Sequence, residues 1–164
     1  MYKRQYGDGA NFIRTILRLA KEREELKIVS DQYGVPTSAD WLAKVSFHLV
    51  FNAQGQLNTF PSGIYHAVPA GETTWHGLAT SVVSEALKAG VRLKTLPEAI
   101  KAIQAIEYPL PAPRPMNSRM STDKLQSVLA SSNSYNDLVK DQRFPHWEAM
   151  VHEYVQKLAA AGLV

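Results

Sequence analysis

Apolar residues recur every three or four positions in three long stretches of the chain, which is the spacing of amphipathic helices. The first stretch begins after Asn11, a favourable N-cap residue, the second begins at Thr73 or Thr74, and the third follows Pro145. Gly90 predicts the end of the second helix. The residues predicted to face the core are Phe12, Ile13, Ile16, Leu17 and Ala20; Trp75, Leu78, Ala79, Val82, Val83 and Ala86; and Trp147, Met150, Val151, Tyr154, Val155 and Leu158.

Weaker patterns predict two further helices. Ser38 is a suitable N-cap for a helix that is stopped by 52–55, and a short helix is predicted after Ser121. Their inward-facing residues are predicted to be Leu42, Val45, Leu49 and Val50 in the first, and Leu125, Val128 and Leu129 in the second.

The remaining patterns predict short strands. Continuous apolar runs at 26–30 and 63–69 indicate buried strands, and 31–37 has the composition of a turn. Residues 93–106 are compatible with a short helix or with an irregular path. Two strands separated by a helix indicate βαβ connectivity, so the predicted class is α/β, mostly helical with two or three short strands.

So few strands make a poor sheet by themselves, which favours the interpretation that the chain is part of a larger fold. Residues 1–5 have no pattern that connects them to the rest of the chain, and we interpret them as a ragged or foreign leader. Residues 6–164 are interpreted as one region.

Composition restricts the class of protein. Of the 164 residues, 45% are hydrophobic and 20% are charged, which is typical of a soluble globular domain. The net charge of +3 is spread among acidic residues, as in 21–27, which argues against a nucleic-acid partner. No apolar run is long enough to span a membrane, and the absence of cysteine fits a cytoplasmic protein.

A proline-rich segment between Tyr108 and Lys124 is the most informative part of the sequence. Its prolines cannot continue a helix or donate to a sheet, so we expect an extended path. It ends with Arg114, Asn117, Ser118 and Arg119, whose side chains suit a phosphate or a polyhydroxylated ligand. The alternative interpretation is a surface linker with stray arginines.

Motifs for catalysis are missing from this sequence. It contains no Gly-x-Gly-x-x-Gly, no Tyr-x-x-x-Lys, no Gly-x-Ser-x-Gly and no His-Glu-x-x-His. The five histidines are not spaced as metal ligands, and we interpret them as structural. No catalytic residue and no metal site is predicted.

Several sequence blocks, in order, resemble the C-terminal half of the dTDP-4-dehydrorhamnose reductases, a family of extended short-chain dehydrogenases/reductases. The resemblance extends from Tyr6 to the last helix. The blocks are Asn11-Phe12, Leu19-Ala20, Asp31-Gln32-Tyr33-Gly34-Val35-Pro36-Thr37, Leu42-Ala43, Gly63-Ile64-Tyr65-His66, Thr74-Trp75, Glu107-Tyr108-Pro109, Ala112-Pro113-Arg114-Pro115-Met116-Asn117-Ser118 and Lys124.

The resemblance implies a fold with an N-terminal Rossmann half that carries the glycine fingerprint and the catalytic Tyr-x-x-x-Lys. It implies NADPH-dependent reduction of the 4-keto group of dTDP-4-dehydrorhamnose, which yields the polysaccharide precursor dTDP-rhamnose. The implied partners are the dTDP-sugar, the missing Rossmann half and, in a homodimer of the parent enzyme, a second copy. Because this chain lacks those motifs, we expect it to be inactive alone.

The resemblance also implies contacts. Position matching places Tyr6 at the cofactor, Asn11 near the nicotinamide or sugar, Gln32 in the cleft turn, and Arg114 and Asn117 at the diphosphate or sugar. For Arg114 the alternative is an ion pair that pins the proline segment to the fold.

Two positions bear on how far the family pattern applies. Trp41 stands where the family usually has an acid, which argues against an acid-dependent metal or subunit contact there. The family runs extended over 100–108, and Pro109 comes shortly afterwards, so we favour the extended path for this part of the chain.

Two other functions share this scaffold. One is a non-catalytic regulatory subunit like that of methionine adenosyltransferase, and the other is a related nucleotide-sugar epimerase or dehydratase. The coding sequence upstream of Tyr6 would separate the regulator from the reductase, because only a reductase needs an intact glycine fingerprint and Tyr-x-x-x-Lys. Product analysis on several keto-sugars would identify an epimerase or dehydratase.

Overall fold

The computed structural model describes residues 5–6, 9–51, 54–59, 61–109, 111–112, 114–131 and 144–164. Within these residues the helices are α1 (Phe12–Glu22), α2 (Ala39–Val50), α3 (Trp75–Lys88), α4 (Asp123–Ser131) and α5 (Trp147–Ala160), with 3-10 turns at Pro97–Ala99 and Ala105–Glu107. The strands are β1 (Gln5–Tyr6), β2 (Leu26–Val29), β3 (Tyr33–Gly34), β4 (Thr37–Ser38), β5 (Thr73–Thr74) and β6 (Ile100–Ile103).

The main core is built from the three long helices that the periodicity predicts. Helix α3 packs against α1 and α5, and its apolar stripe is almost wholly buried. Asn11 and Thr74 cap α1 and α3, because each side chain accepts a hydrogen bond from a main-chain N–H three residues further on. The left-handed φ of +81° at Gly90 comes just after the end of α3, as predicted.

The βαβ unit predicted from the sequence is present, with a different second strand. Strand β2 pairs in parallel with β6, from Leu26 opposite Ile100 to Val29 opposite Ile103, and α3 lies in the connection. The extended path favoured for 100–108 is thus confirmed over Ile100–Ile103 and is wrong over Ala105–Glu107, which form a 3-10 turn. His76 binds the carbonyl of Ile100 through Nε2 at 2.9 Å, which confirms a structural role for this histidine.

The strand predicted at 63–69 is wrong. No strand is assigned to these residues, all of which the structure describes, and Ile64 is 81% exposed. Tyr65 and Ala67 from this segment instead pack against a second, smaller core formed by Leu125 and Leu129 of α4. Part of this apolar run therefore covers α4, whereas Val68 packs against the main core, and no strand partner is assigned to the run.

Two other predictions need correction. The predicted turn at 31–37 contains β3 and the start of β4, which pair with β5 and β1. Helix α2 begins after the Ser38 cap as predicted, but only Val45 is buried and Val50 is 46% exposed. The leader interpreted at residues 1–5 stays a prediction: Gln5 belongs to β1, opposite Thr37, and residues 1–4 lie outside the described residues.

The structure has no helix, within the described ranges, that is long and apolar enough to cross a membrane. The α/β class with few short strands is confirmed.

Glu85 links two helices of the main core. Its carboxylate accepts a hydrogen bond of 2.7 Å from Lys88 and also contacts Nδ1 of His152 on α5, while its side chain is only 14% exposed. The hydrogen bond from Lys88, followed by that with His152, lowers the pKa of Glu85 below its ordinary value of 4.5. A carboxyl whose pKa is lowered by folding stabilises the native state above its unfolded pKa, and this contribution is lost as the pH falls through the folded pKa.

We therefore expect Glu85→Gln to lower the free energy of unfolding by about 1 kcal/mol at pH 7, and to have little effect at pH 3. Urea unfolding followed by the fluorescence of the buried Trp75 and Trp147 measures both values. Glu153→Gln is the matched control, because the Glu153–Lys157 pair on α5 is more than 60% exposed on both sides and is expected to contribute less than about 0.5 kcal/mol. If Glu85→Gln lowered the free energy of unfolding equally at both pH values, the ionised carboxylate of Glu85 would not be the source of the stabilisation.

Candidate functional site

A cleft of about 310 Å³ opens where three segments of the chain meet. One wall is Val35 after β3, the second is 68–72 before β5, and the third is 119–123, between the proline-rich segment and α4. The lining residues are Val35, Val68, Pro69, Ala70, Gly71, Glu72, Arg119, Met120, Ser121, Thr122 and Asp123.

Main-chain hydrogen bonds of Tyr33 hold the third wall in place. Its N–H donates to the carbonyl of Met116 at 2.8 Å, and its carbonyl accepts from the N–H of Ser118 at 2.9 Å. Strand β3 also pairs antiparallel with β5, with Tyr33 opposite Thr74. The end of the proline-rich segment is thus extended, as predicted, and it joins the β3–β5 pair as a further strand-like piece.

Arg119 is the central charged residue of the cleft. Its Nη1 donates to both carboxylate oxygens of Glu72 at 2.9 Å, and its Nε donates to Oδ1 of Asn117 at 3.0 Å. Its guanidinium also lies over the ring of Tyr33, 5.4 Å from the centroid. Three different partners therefore fix the position of a side chain that is still 43% exposed.

The start of α4 adds hydroxyl groups and a second carboxylate. Ser121 donates through Oγ to Oδ2 of Asp123 at 2.8 Å, and the same Oγ accepts from the N–H of Asp123 at 3.2 Å. Among the described residues that line the cleft, Glu72, Asp123 and Arg119 are charged, and together they carry one net negative charge.

The second wall is fixed to the start of α5. Ala70 donates through its N–H to the carbonyl of Pro145 at 3.0 Å and accepts from the N–H of Trp147 at 3.1 Å. Gly71 has a φ of +81°, and a Cβ at this position would meet the ring of His146. A glycine is required here for both reasons.

The structure brings two of the predicted ligand contacts to this region. Gln32 is buried directly before Tyr33, and Asn117 lies opposite Tyr33, where its Oδ1 accepts from both N and Nε of Arg119. Arg114 is exposed on the same segment but does not line the cleft. Their contacts with a ligand stay predictions.

The other two predicted contacts lie elsewhere in the fold. Asn11 caps α1, and its Nδ2 donates to the hydroxyl of Tyr154 at 2.8 Å and to the carbonyl of Gly9 at 3.0 Å, so it joins α1 to α5. Tyr6 lies in β1 and pairs with Ser38. Asn11 is not among the described residues that line the cleft.

Sequence reasoning missed Glu72, and from the run that ends the proline-rich segment it selected Arg114 and Asn117 rather than Arg119. Arg119 belongs to that same polar run, so the sequence did contain a signal for it. Glu72 gave none, because it is an isolated acid 47 residues from its partner. No group of three or more potential metal-ligating side chains occurs in the part of the chain that the structure describes.

Comparison with known proteins matches this chain to one region of the proteins of a single family. The family model of the RmlD substrate binding domain matches residues 2–159. A dTDP-4-dehydrorhamnose reductase of Salmonella typhimurium is 47% identical over 152 residues, which cover 93% of this chain and 46% of that protein. The spore coat polysaccharide biosynthesis protein SpsK of Bacillus subtilis is 31% identical over 157 residues, which cover 95% of this chain and 46% of that protein.

A solved structure agrees with the sequence matches. The dTDP-4-dehydrorhamnose reductase of Bacillus anthracis, in complex with NADP, superimposes with a TM-score of 0.69 at 27% identity and covers 93% of this chain and 45% of that one. The chain thus spans about half the length of the relatives it matches. The resemblance found in the sequence is confirmed, and the chain belongs to the RmlD substrate-binding domain family.

Proposed function

We propose that this chain supplies the nucleotide-sugar-binding half of an NADPH-dependent dTDP-4-dehydrorhamnose reductase. The parent enzyme would reduce the 4-keto group of the dTDP-sugar to give dTDP-rhamnose. The observation that carries this proposal is the family match over 2–159, which includes every residue of a polar cleft suited to a hydroxylated ligand. The names of the relatives and the NADP complex of one of them support the reaction class.

The residues of this chain do not fit a dinucleotide site. The sequence has no glycine-rich turn of the kind that cradles the phosphates of a dinucleotide. It also lacks the Tyr-x-x-x-Lys pair that would place a proton donor at the keto oxygen. Both functions would therefore come from a Rossmann half, and we infer that this chain binds and orients the sugar nucleotide.

The polar residues of 114–119 suggest which side chains contact which part of the sugar nucleotide. A guanidinium such as that of Arg114 suits a diphosphate, because its planar array of N–H donors matches phosphate oxygens. The Oδ1 of Asn117 accepts from Arg119 and helps to hold that arginine in place, and the Nδ2 group of the same side chain would be the donor to the diphosphate or sugar. Gln32 is buried directly before Tyr33, and its contact with the sugar nucleotide is part of the proposal.

We expect the 164-residue chain alone to show no NADPH oxidation with dTDP-4-dehydrorhamnose, and to gain this activity when it is co-expressed with the N-terminal half of the Salmonella relative. NADPH absorbance and detection of dTDP-rhamnose measure the reaction. The two separated halves of the Salmonella relative serve as the control for reassembly. Activity of this chain alone would contradict the proposed division of labour, and a reassembled pair that reduces no dTDP-sugar would contradict the reductase.

We expect Arg114→Gln to weaken the binding of dTDP about tenfold, because one charge-assisted hydrogen bond to phosphate is lost. Isothermal titration of the chain with dTDP measures this change. Arg92→Gln is the matched control, since Arg92 is also exposed and lies in the loop after α3, outside the cleft. Binding by Arg114→Gln as tight as that of the wild type would remove Arg114 from the site.

A further inference from the structure

The ion pair between Glu72 and Arg119 is a feature of the cleft that the family resemblance did not assign. We propose that these two side chains bind neighbouring hydroxyl groups of the sugar, and that the diphosphate lies outside the cleft. The inference rests on the proposed function, because it names the part of the nucleotide sugar that this cleft takes.

The unused hydrogen-bonding capacity of the pair matches a vicinal diol. Arg119 contacts Glu72 through Nη1 and Asn117 through Nε, and its Nη2 has no hydrogen-bond partner among the described residues. Each oxygen of Glu72 accepts one bond from Arg119 and can accept another. A diol can therefore donate one hydroxyl proton to the carboxylate while the adjacent oxygen accepts from the guanidinium.

The charge of the cleft favours hydroxyl groups over phosphates. The described lining holds two carboxylates, those of Glu72 and Asp123, and one guanidinium, so a diphosphate would meet a net negative lining. Neutral hydroxyl groups are not repelled, and charged partners form stronger hydrogen bonds with them than neutral partners do.

The size and the apolar part of the cleft also fit a single sugar ring. A volume of about 310 Å³ is at the lower end of the range of about 300–1,000 Å³ that is usual for small-molecule sites, so the cleft matches one sugar ring better than a whole nucleotide sugar. Val35, Val68, Pro69 and Met120 give an apolar surface for the C–H groups of the ring and the methyl group of a 6-deoxy sugar.

The position of Arg119 does not depend on Glu72 alone. Asn117 and the ring of Tyr33 hold the guanidinium from two other sides, so its free N–H groups are already directed before a ligand arrives. Preorganisation of this kind lowers the entropic cost of binding. It also means that Glu72 can be changed while Arg119 keeps most of its contacts.

The test is titration of the 164-residue chain with dTDP-rhamnose and with dTDP, which lacks the sugar. We expect Glu72→Gln and Arg119→Gln each to weaken the binding of dTDP-rhamnose about tenfold. The affinity of each variant for dTDP should stay within about twofold of that of the wild type. Glu25→Gln is the matched control, because Glu25 forms a similarly exposed ion pair with Lys101 beside β2 and its replacement removes the same charge. Circular dichroism checks that each variant is folded.

The outcomes separate this inference from the proposed function. If the wild type binds dTDP-rhamnose and both variants bind it equally well, the diol-binding role is wrong and the proposed function stands. If Arg119→Gln weakened the binding of dTDP as much as the binding of dTDP-rhamnose, Arg119 would be assigned to the diphosphate and the inference would be overturned. A wild-type chain that binds neither compound would overturn both.

Discussion

The cleft depends on the main-chain pairing of Tyr33 with two segments that are far from it in sequence. Strand β3 pairs with β5 and also with the end of the proline-rich segment, so residues 33, 74 and 117 lie side by side. Prolines have no N–H to donate, and the bonds to Met116 and Ser118 are therefore the main anchors of that end. Without them Arg119 would not reach Glu72.

The main core makes this pairing rigid. Thr74 is at once the last residue of β5 and the N-cap of α3, and α3 is the helix that both α1 and α5 pack against. The carbonyl of Ala70, in the neighbouring wall, accepts from the first residue of α5. Two of the three walls are thus fixed to the first residues of α3 and α5, whose apolar faces are buried in the main core.

How much of the fold and of the cleft could be predicted depends on whether each feature is determined by neighbouring residues or by distant ones. The long helices, their caps and the α/β class could be derived from the sequence, because periodicity and N-cap residues act within a few positions. The prediction of a strand at 63–69 failed because an apolar run has the same appearance in sequence when it covers another element, here in part α4. Strands of two residues, such as β3 and β4, exist only because distant partners are present. The same holds for the site: Asn117 could be proposed from its segment, whereas Glu72 becomes a candidate only through its contact with Arg119.

A cleft that binds neutral hydroxyl groups through a charged pair is better suited to selection than to tight binding. Each hydrogen bond to a hydroxyl replaces one to water, so the net gain is about 0.5–1.5 kcal/mol for a typical bond. An analogue without the hydroxyl would leave a desolvated carboxylate or guanidinium without its partner, and this penalty exceeds the gain from the correct ligand. Affinity would then come from the nucleotide and its phosphates, while Glu72 and Arg119 decide which sugar is held in the orientation for reduction. On this proposal the pairing with Glu72 directs Arg119 to the hydroxyl groups of the ring, because an unpaired guanidinium would attract phosphate instead.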